Sequence, residues 1–499
     1  MTAIFDGLAT AFIFVVGLAA LGLVIIFIVD RIQTADAIRR NYPVIGRMRP
    51  ILSNLGEFFR QYFFAMDREE MPFNRAQREW VYSAAQHEST NVAFGSTRNL
   101  EPVGTPIFIN CPWPTLDEDA VEAAPMIIGA EAARIPFEAP SLFNISGMSY
   151  GALSTPAVRA LSNGAKMAGC WMNTGEGGLA PYHLEGGCDV VFQIGTAKYG
   201  VRDAAGQLSD GKLREIAGHE QVRMFELKLA QGAKPGKGGI LPGAKVNAEI
   251  AAIRGIPEGE DSISPNRHTD IGNIDELLDT IAHIREVTGK PVGFKTVIGA
   301  YGWIEELFAE INRRGAASAP DFITVDGGDG GTGAAPLPLI DNVGLALREA
   351  LPMLVDLRDA AGLKDRIRII ASGKLVTPAD VAWAICAGAD FVISARGFMF
   401  ALGCIQAMKC DKNTCPTGIT THNPALQRGL DPANKAVRVA NFVTQMRKEV
   451  GMIAHSCGVS EPRHLRRYHV RLVCADGRSR PLNELYPPMM PRQNEPALV

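Results

Sequence analysis

"RIRIIASGKLVTPADVAWAICAGADFVISARG", residues 366–397, carries the reading that decides the fold. Its first nine residues form a β-branched run that ends in Ser372, Gly373 and Lys374. Its last eight form a second such run, ending in Arg396 and Gly397. The stretch between them has helical signals at both ends. Thr377 can cap the start, Pro378 suits the first turn, and Asp380 stands three residues after the cap. Ile385 and Cys386 fall on the buried side, and Gly388 stops the helix. Strand, helix and strand in this order imply parallel pairing.

The rhythm extends upstream to about residue 120. "SLFNISGMSYG" reads as a strand and a Gly-rich turn, and "STPAVRALSNGAKMAG" as a helix with Ser154 at its cap. "WMNTGEGG" and "DVVFQIG" are two further strand-and-turn units. "IDELLDTIAHIREVTG" and "WIEELFAEINRRG" are helices that alternate with the strands "PVGFKTVIG" and "DFITVDGGDGG". The expectation is an α/β fold on a parallel sheet, open or closed into a barrel. In both, chemistry belongs at the C-terminal ends of the strands, where the Gly, Ser, Lys and Gln-bearing turns fall.

The 499 residues are 47% hydrophobic and 21% charged, enough for a large buried core. A net charge of −3, with no basic, aromatic-interleaved face, gives no case for nucleic-acid binding. Nine cysteines in this length do not form a disulfide framework. "LATAFIFVVGLAALGLVIIFIV", Leu8 to Val29, has no charge and as a helix would span roughly 33 Å. A cleaved signal peptide would need a basic start and a shorter core, so an anchor over residues 1–30 is expected. Arg31, Arg39, Arg40, Arg47 and Arg49 follow it, which places the remainder in the cytoplasm by the positive-inside rule. Residues 31–90 form a basic, amphipathic juxtamembrane segment. Its Phe58, Phe59, Tyr62, Phe63 and Phe64 suit either a membrane surface or the main domain. The main domain is expected over 91–460. A C-terminal extension, 461–499, is read as surface-packed or partly disordered.

"GGDGGTG" holds a formal G-x-G-x-x-G at Gly328, Gly330 and Gly333. A dinucleotide site would open a helix there, but Pro336 and Pro338 prevent an immediate one. A loop whose N–H groups face an anionic or planar ligand fits better. Ser372, Gly373, Lys374, Arg396 and Gly397, ending two successive late strands, match the phosphate site of a barrel. Cys404, Cys410 and Cys415 form C-x5-C-x4-C on a polar loop. Zinc prefers paired C-x2-C units and a fourth ligand. Iron–sulfur ligation suits the loop better, as a three-iron cluster or, with another ligand such as Cys457, a four-iron one.

Five motifs, "SGMSYGALS", "NTGEGG", "AQGAKPGKGGILPG", "DGGDGGTGAAP" and "ALGCIQAMKCDKNTCPTGITT", occur in order. Over roughly residues 90–455 the chain resembles the FMN-binding synthase domain of glutamate synthase, and most of all the short, membrane-anchored branch of that family. The resemblance implies a (β/α)8 TIM-type barrel carrying FMN and a 3Fe-4S cluster on Cys404, Cys410 and Cys415. FMN would meet Ser146, Gly147, Met148, Ser149, Thr174, Gln193 and Lys295. Its phosphate would meet Gly330, Gly331, Ser372, Gly373, Lys374, Arg396 and Gly397. A 2-oxoacid or amine substrate would draw on Glu176, Gln231, Lys234 and Arg254. Two positions depart from the family: Ile240 replaces a glutamine and Lys237 an acidic residue, both near the substrate loop. No amidotransferase domain, C-terminal β-helix domain or NAD(P)-binding unit is read, so ammonia and electrons are expected from outside. The donor would be ferredoxin-like or a reductase subunit. The alternatives are a different amine or carbonyl substrate, or an electron-relay subunit.

Overall fold

The computed structural model describes residues 2–487 and divides into two units that part between Ala76 and Gln77. In the first, the apolar run lies within helix α1 (Thr2–Ile32), exposed along its length. It is the one helix among the described residues long and apolar enough to cross a membrane. A polar lock closes its end. The Asp30 carboxylate accepts the Val44 N–H at 3.0 Å and pairs with Arg47 at 2.7 Å. Helix α2 (Ala37–Asn41) is capped by Asp36, whose carboxylate accepts two first-turn N–H groups. Helix α3 (Met48–Phe59) continues into a wider, π-type turn over Arg60–Phe64.

The second unit is built on eight parallel strands: β1 (Phe143–Ile145), β2 (Met172–Asn173), β3 (Val190–Ile194), β4 (Val222–Lys228), β5 (Val292–Thr296), β6 (Phe322–Asp326), β7 (Arg368–Ser372) and β8 (Phe391–Ser394). They close into a barrel, in which β8 returns to β1 with Val392 beside Phe143 and Ser394 beside Ile145. Nearly every strand residue is buried, because helices cover the outside and side chains fill the inside. The helix signals of the sequence hold. Helix α4 (Thr155–Ala168) starts at Ser154, whose hydroxyl accepts from Ala157 N–H. Helix α5 (Pro378–Ala387) has a reciprocal box between Thr377 and Asp380 and ends at Gly388, φ +112°. Helix α6 (Pro432–Ser456) lies across α4, where a Cβ at Gly164 would come within 2.5 Å of Val439 Cβ. Glycine is what lets these two backbones approach.

Two expectations are refined. The loop after β6 does not run straight into a helix, but a short one, Leu337–Asn342, starts once Pro336 is passed. Pro338 sits in its first turn, where its missing N–H would have had no partner. The segment after residue 460 is no loose extension as far as Pro487. Strand Val470–Val473 lies between Pro106–Phe108 and Ser479–Pro481 and pairs with both in a three-stranded antiparallel sheet. Residues 488–499 lie outside the described part.

Candidate active site

The C-terminal ends of the strands open onto one cavity, with about 1010 Å³ of atom-free space including its mouth. Its wall after β1 is Gly147, Met148 and Ser149, and after β2 it is Gly175 and Glu176. Close approach explains the glycines here. Gly175, φ +66°, would place a Cβ 2.4 Å from Ser149 N. A Cβ at Gly147 would stand 2.8 Å from Asn173 Oδ1 and 2.9 Å from Gln193 Nε2.

On the next wall, Glu176 meets three cations. Lys228 Nζ lies 3.0 Å from Glu176 Oε1 and donates to Gln231 Oε1 at 2.9 Å. Lys234, nearly buried, and Arg254, 5% exposed, complete the set. Burial alone would raise the Glu176 pKa, but Lys228, Lys234 and Arg254 outweigh it and hold the group at about 2. Burial presses Lys234 and Arg254 below their ordinary values, partly offset by Glu176. Arg254 donates to Ser262 Oγ and to Tyr150 O, each at 3.1 Å, and its Nε has no partner among the described residues. Gln231 bridges onward, donating to Gly331 O at 3.3 Å.

Beneath the cavity sits a charged node whose carboxylates, Glu226 and Asp326, the sequence reading missed. The Glu226 carboxylate, 2% exposed, accepts from Asn173 Nδ2 at 2.8 Å, Gln193 Nε2 at 2.6 Å and Thr324 Oγ1 at 2.6 Å. Lys295 pairs with Asp326 at 3.1 Å. Burial would lower its pKa, but Asp326 and Glu226 more than compensate and raise it. Glu226, Lys228 and Asp326 carried one readable signal. In "VRMFELK", Glu226 and Lys228 alternate inside a strand that is otherwise apolar apart from Arg223, and a buried strand keeps charges only where they are paired.

The opposite wall is formed after β6 and β8 by residues 331–334, Ala395, Arg396 and Met399. Gly331 would place a Cβ 3.0 Å from Arg396 Nε, and Arg396 also donates to Thr332 O. The loops after β6 and β7 are zipped by Gly327 N–H to Ser372 O at 2.8 Å. Gly373, φ +131°, and Lys374, φ +51°, follow in the left-handed region, which a lysine occupies at a cost. The remaining expected residues are buried behind the wall. Thr174 Oγ1 accepts Gln193 N–H at 3.0 Å, and Ser146 N–H donates to Ser394 O at 3.0 Å. At Gly397 the visible demand is packing, because a Cβ would come within 2.9 Å of Phe442.

The cysteine loop completes the cavity at Cys410, Asp411 and Thr420. Lys245, 2% exposed, donates to Cys410 O and Thr420 O, both at 2.7 Å. Asn413 donates to Ala244 O at 3.0 Å. Gln406, Met408 and Asn413 all take left-handed backbone, so the loop is held in a conformation non-glycine residues avoid. Arg396 Nη1 lies 3.9 Å from Cys410 Sγ. Burial raises the Cys404 thiol, whereas at Cys415 hydrogen bonds from Thr417 and Thr420 overcome burial and lower it. Among the described residues no three His, Cys, Asp or Glu side chains gather around a single-ion site. A cluster asks for something else, one thiolate per iron at separate corners, and a thiol-bearing loop flanked by Arg396 and Lys245 has the donors and the counter-charge for that. The glycine-lined wall likewise offers backbone approach and an arginine to a flat, phosphorylated group.

Residues 98–460 match the family model described as the conserved region in glutamate synthase. The chain belongs to the glutamate synthase family. Within it, the chain is 40% identical to the glutamate synthase large subunit-like protein YerD of Bacillus subtilis, over 93% of this chain and 95% of that one. It is 38% identical to the archaeal glutamate synthase [NADPH] of Methanocaldococcus jannaschii, over 66% of this chain and 61% of that one. The glutamate synthase large subunit-like protein of Rhizobium meliloti is 31% identical over 70% of this chain and 78% of its own. Membership in the glutamate synthase family makes this an enzyme of the oxidoreductase type.

Proposed function

We propose that this chain catalyses the reductive amination of a 2-oxoacid, chemistry of the 2-oxoglutarate-to-glutamate type, with FMN and a 3Fe-4S cluster. Ammonia and electrons come from outside, and α1 anchors the chain with its catalytic unit in the cytoplasm. The observation that carries the reading is that one cavity joins the Glu176–Lys228–Lys234–Arg254 group, the glycine walls at 147 and 331, and Cys410. FMN would rest on Ser146 to Ser149, Thr174, Gln193 and Lys295, with its phosphate toward Gly330, Gly331, Ser372 to Lys374, Arg396 and Gly397. The cluster would be held by Cys404, Cys410 and Cys415. When bound, the flavin supplies hydride chemistry and the cluster single electrons.

The chain's own residues do the rest. Lys234 and Arg254 present two cations to a substrate carboxylate, and each has lost solvent to burial, so an incoming anion is strongly favoured. Glu176 stays ionised at neutral pH and cannot act as an acid there. With Oε1 engaged by Lys228, Oε2 is left to accept an N–H from ammonia or from the imine nitrogen. Gly195 keeps that place open, since a Cβ there would stand 3.0 Å from Glu176 Oε2. A second reading, the same chemistry on a less polar substrate, is favoured by Ile240, 41% exposed on the cavity wall where the family has glutamine.

The test is anaerobic turnover of 2-oxoglutarate and ammonium with a reduced low-potential donor. Lys234→Ala should lose roughly 2–4 kcal/mol in kcat/KM while keeping its flavin spectrum. Undiminished turnover in Lys234→Ala would refute the substrate role of this loop. Absence of turnover by the wild type on any 2-oxoacid would favour an electron-relay role.

A further inference from the structure

One side of α3 has no cover within its own unit. Ile51, Leu52, Leu55, Phe58, Phe59 and Tyr62 recur at helical spacing and so share a face. Each is between 37% and 58% exposed, and Phe63 and Phe64 beyond them are 67% and 75% exposed. The rings cluster with one another, Phe58 to Tyr62 at 4.9 Å and Phe59 to Phe63 at 5.4 Å between centroids. A contiguous apolar patch of this kind marks a contact surface.

Where the helix begins indicates what covers it. Asp30, in the last turn of α1, is 1% exposed and binds both Val44 N–H and Arg47. Arg31 Nη1 donates to Arg40 O at 3.0 Å, a second tie across the same turn. Residue 47, which immediately precedes α3, is therefore fastened to the end of the apolar helix. We propose that α3 and the turn through Phe64 form an interfacial helix on an anionic bilayer, with the apolar face sunk among the headgroups.

This rests on reading α1 as the membrane span, and three features argue for it. The segment from Met48 to Phe64 is roughly 25 Å long. Standing away from the bilayer, it would carry its rings into water, whereas lying flat it buries Phe58, Phe59 and Tyr62 at one depth. Aromatic rings are the side chains that prefer the headgroup layer. Arg49 and Arg60 fall on the opposite side of the helix, and Arg39 and Arg40 stand just before it, charges that anionic headgroups complement.

The experiment uses the full chain in vesicles of phosphatidylcholine and phosphatidylglycerol. Phe59, on the apolar face, and in a second protein Ser53, on the polar face, are each replaced by photoreactive benzoylphenylalanine. Illumination should give lipid adducts from position 59 and none from position 53. Adducts from position 59 to peptides within residues 77–487 or to a second copy of the chain would overturn the proposal, as would equal lipid labelling from both positions. The Asp30→Asn background should lower lipid labelling at position 59, and an undiminished yield would refute the tie as what holds the helix down. Alkaline carbonate extraction of the same vesicles reports on α1 alone. A chain it releases is not integral, so failure of the span is seen apart from failure of the interfacial helix.

Discussion

Lys228→Met tests how the cavity holds its carboxylate. Glu176 is kept at about 2 although burial pushes the other way. Against an ordinary value near 4.3, that is about 3 kcal/mol of stability at pH 7. Solvent screens little of it, since the two side chains are 11% and 16% exposed. The folded pKa is depressed, so the contribution is complete above about pH 4.3 and lost as pH falls toward 2. Lys228 is the nearest cation. Without it, burial is opposed only by Lys234 and Arg254, and the single variant should lose about 3 kcal/mol at pH 7. Adding Glu176→Gln leaves no charge stranded, so the double variant should be less damaged than the sum of the singles by about 2 kcal/mol. Denaturant unfolding followed through tryptophan fluorescence measures this, since Trp171 is in the barrel core. The gap between wild type and Lys228→Met should narrow between about pH 4.3 and 2 and stay constant from 8 to 5. Additivity of the two substitutions to within about 0.5 kcal/mol would refute the pairing as the cause of the low pKa.

Anaerobically purified protein should carry FMN and about three irons per chain, and Cys404→Ser, Cys410→Ser or Cys415→Ser should lose the iron while Cys386→Ser, in the core of α5, keeps it; metal analysis decides, and zinc in place of iron would refute the cluster. Glu226→Ala strands three buried donors and should cost roughly 3–5 kcal/mol in unfolding free energy, whereas Glu226→Gln, which keeps an acceptor, should cost well under half as much. Ile240→Gln should raise kcat/KM for 2-oxoglutarate if the natural substrate is less polar, and a fall would argue that the isoleucine is packing rather than selecting.

Local signals were legible because they depend on neighbours in the chain. The cap at Thr377, the left-handed stop at Gly388, the apolar run of α1 and the strand-and-turn units all involve residues within a few positions of one another. The glycine motifs were visible too, though the Cβ contacts that require them, Gly175 against Ser149 and Gly331 against Arg396, cross between loops. What the sequence did not reveal is long-range. Closure of the sheet depends on β8 meeting β1, some 250 residues away in the chain; the family resemblance implied it, but alternation alone is equally consistent with an open sheet. The node at Glu226 draws donors from β2, β3 and β6, and Lys228 reaches Glu176 only because the barrel brings β2 and β4 to one mouth. By itself the sequence marked seven of the eight barrel strands, leaving β4 unread, and showed which loops carry glycine, lysine and cysteine. Only the tertiary structure decided which charges face one another, because a carboxylate's pKa and a cavity's lining depend on atoms a few ångströms away in space, and chain position does not report that distance.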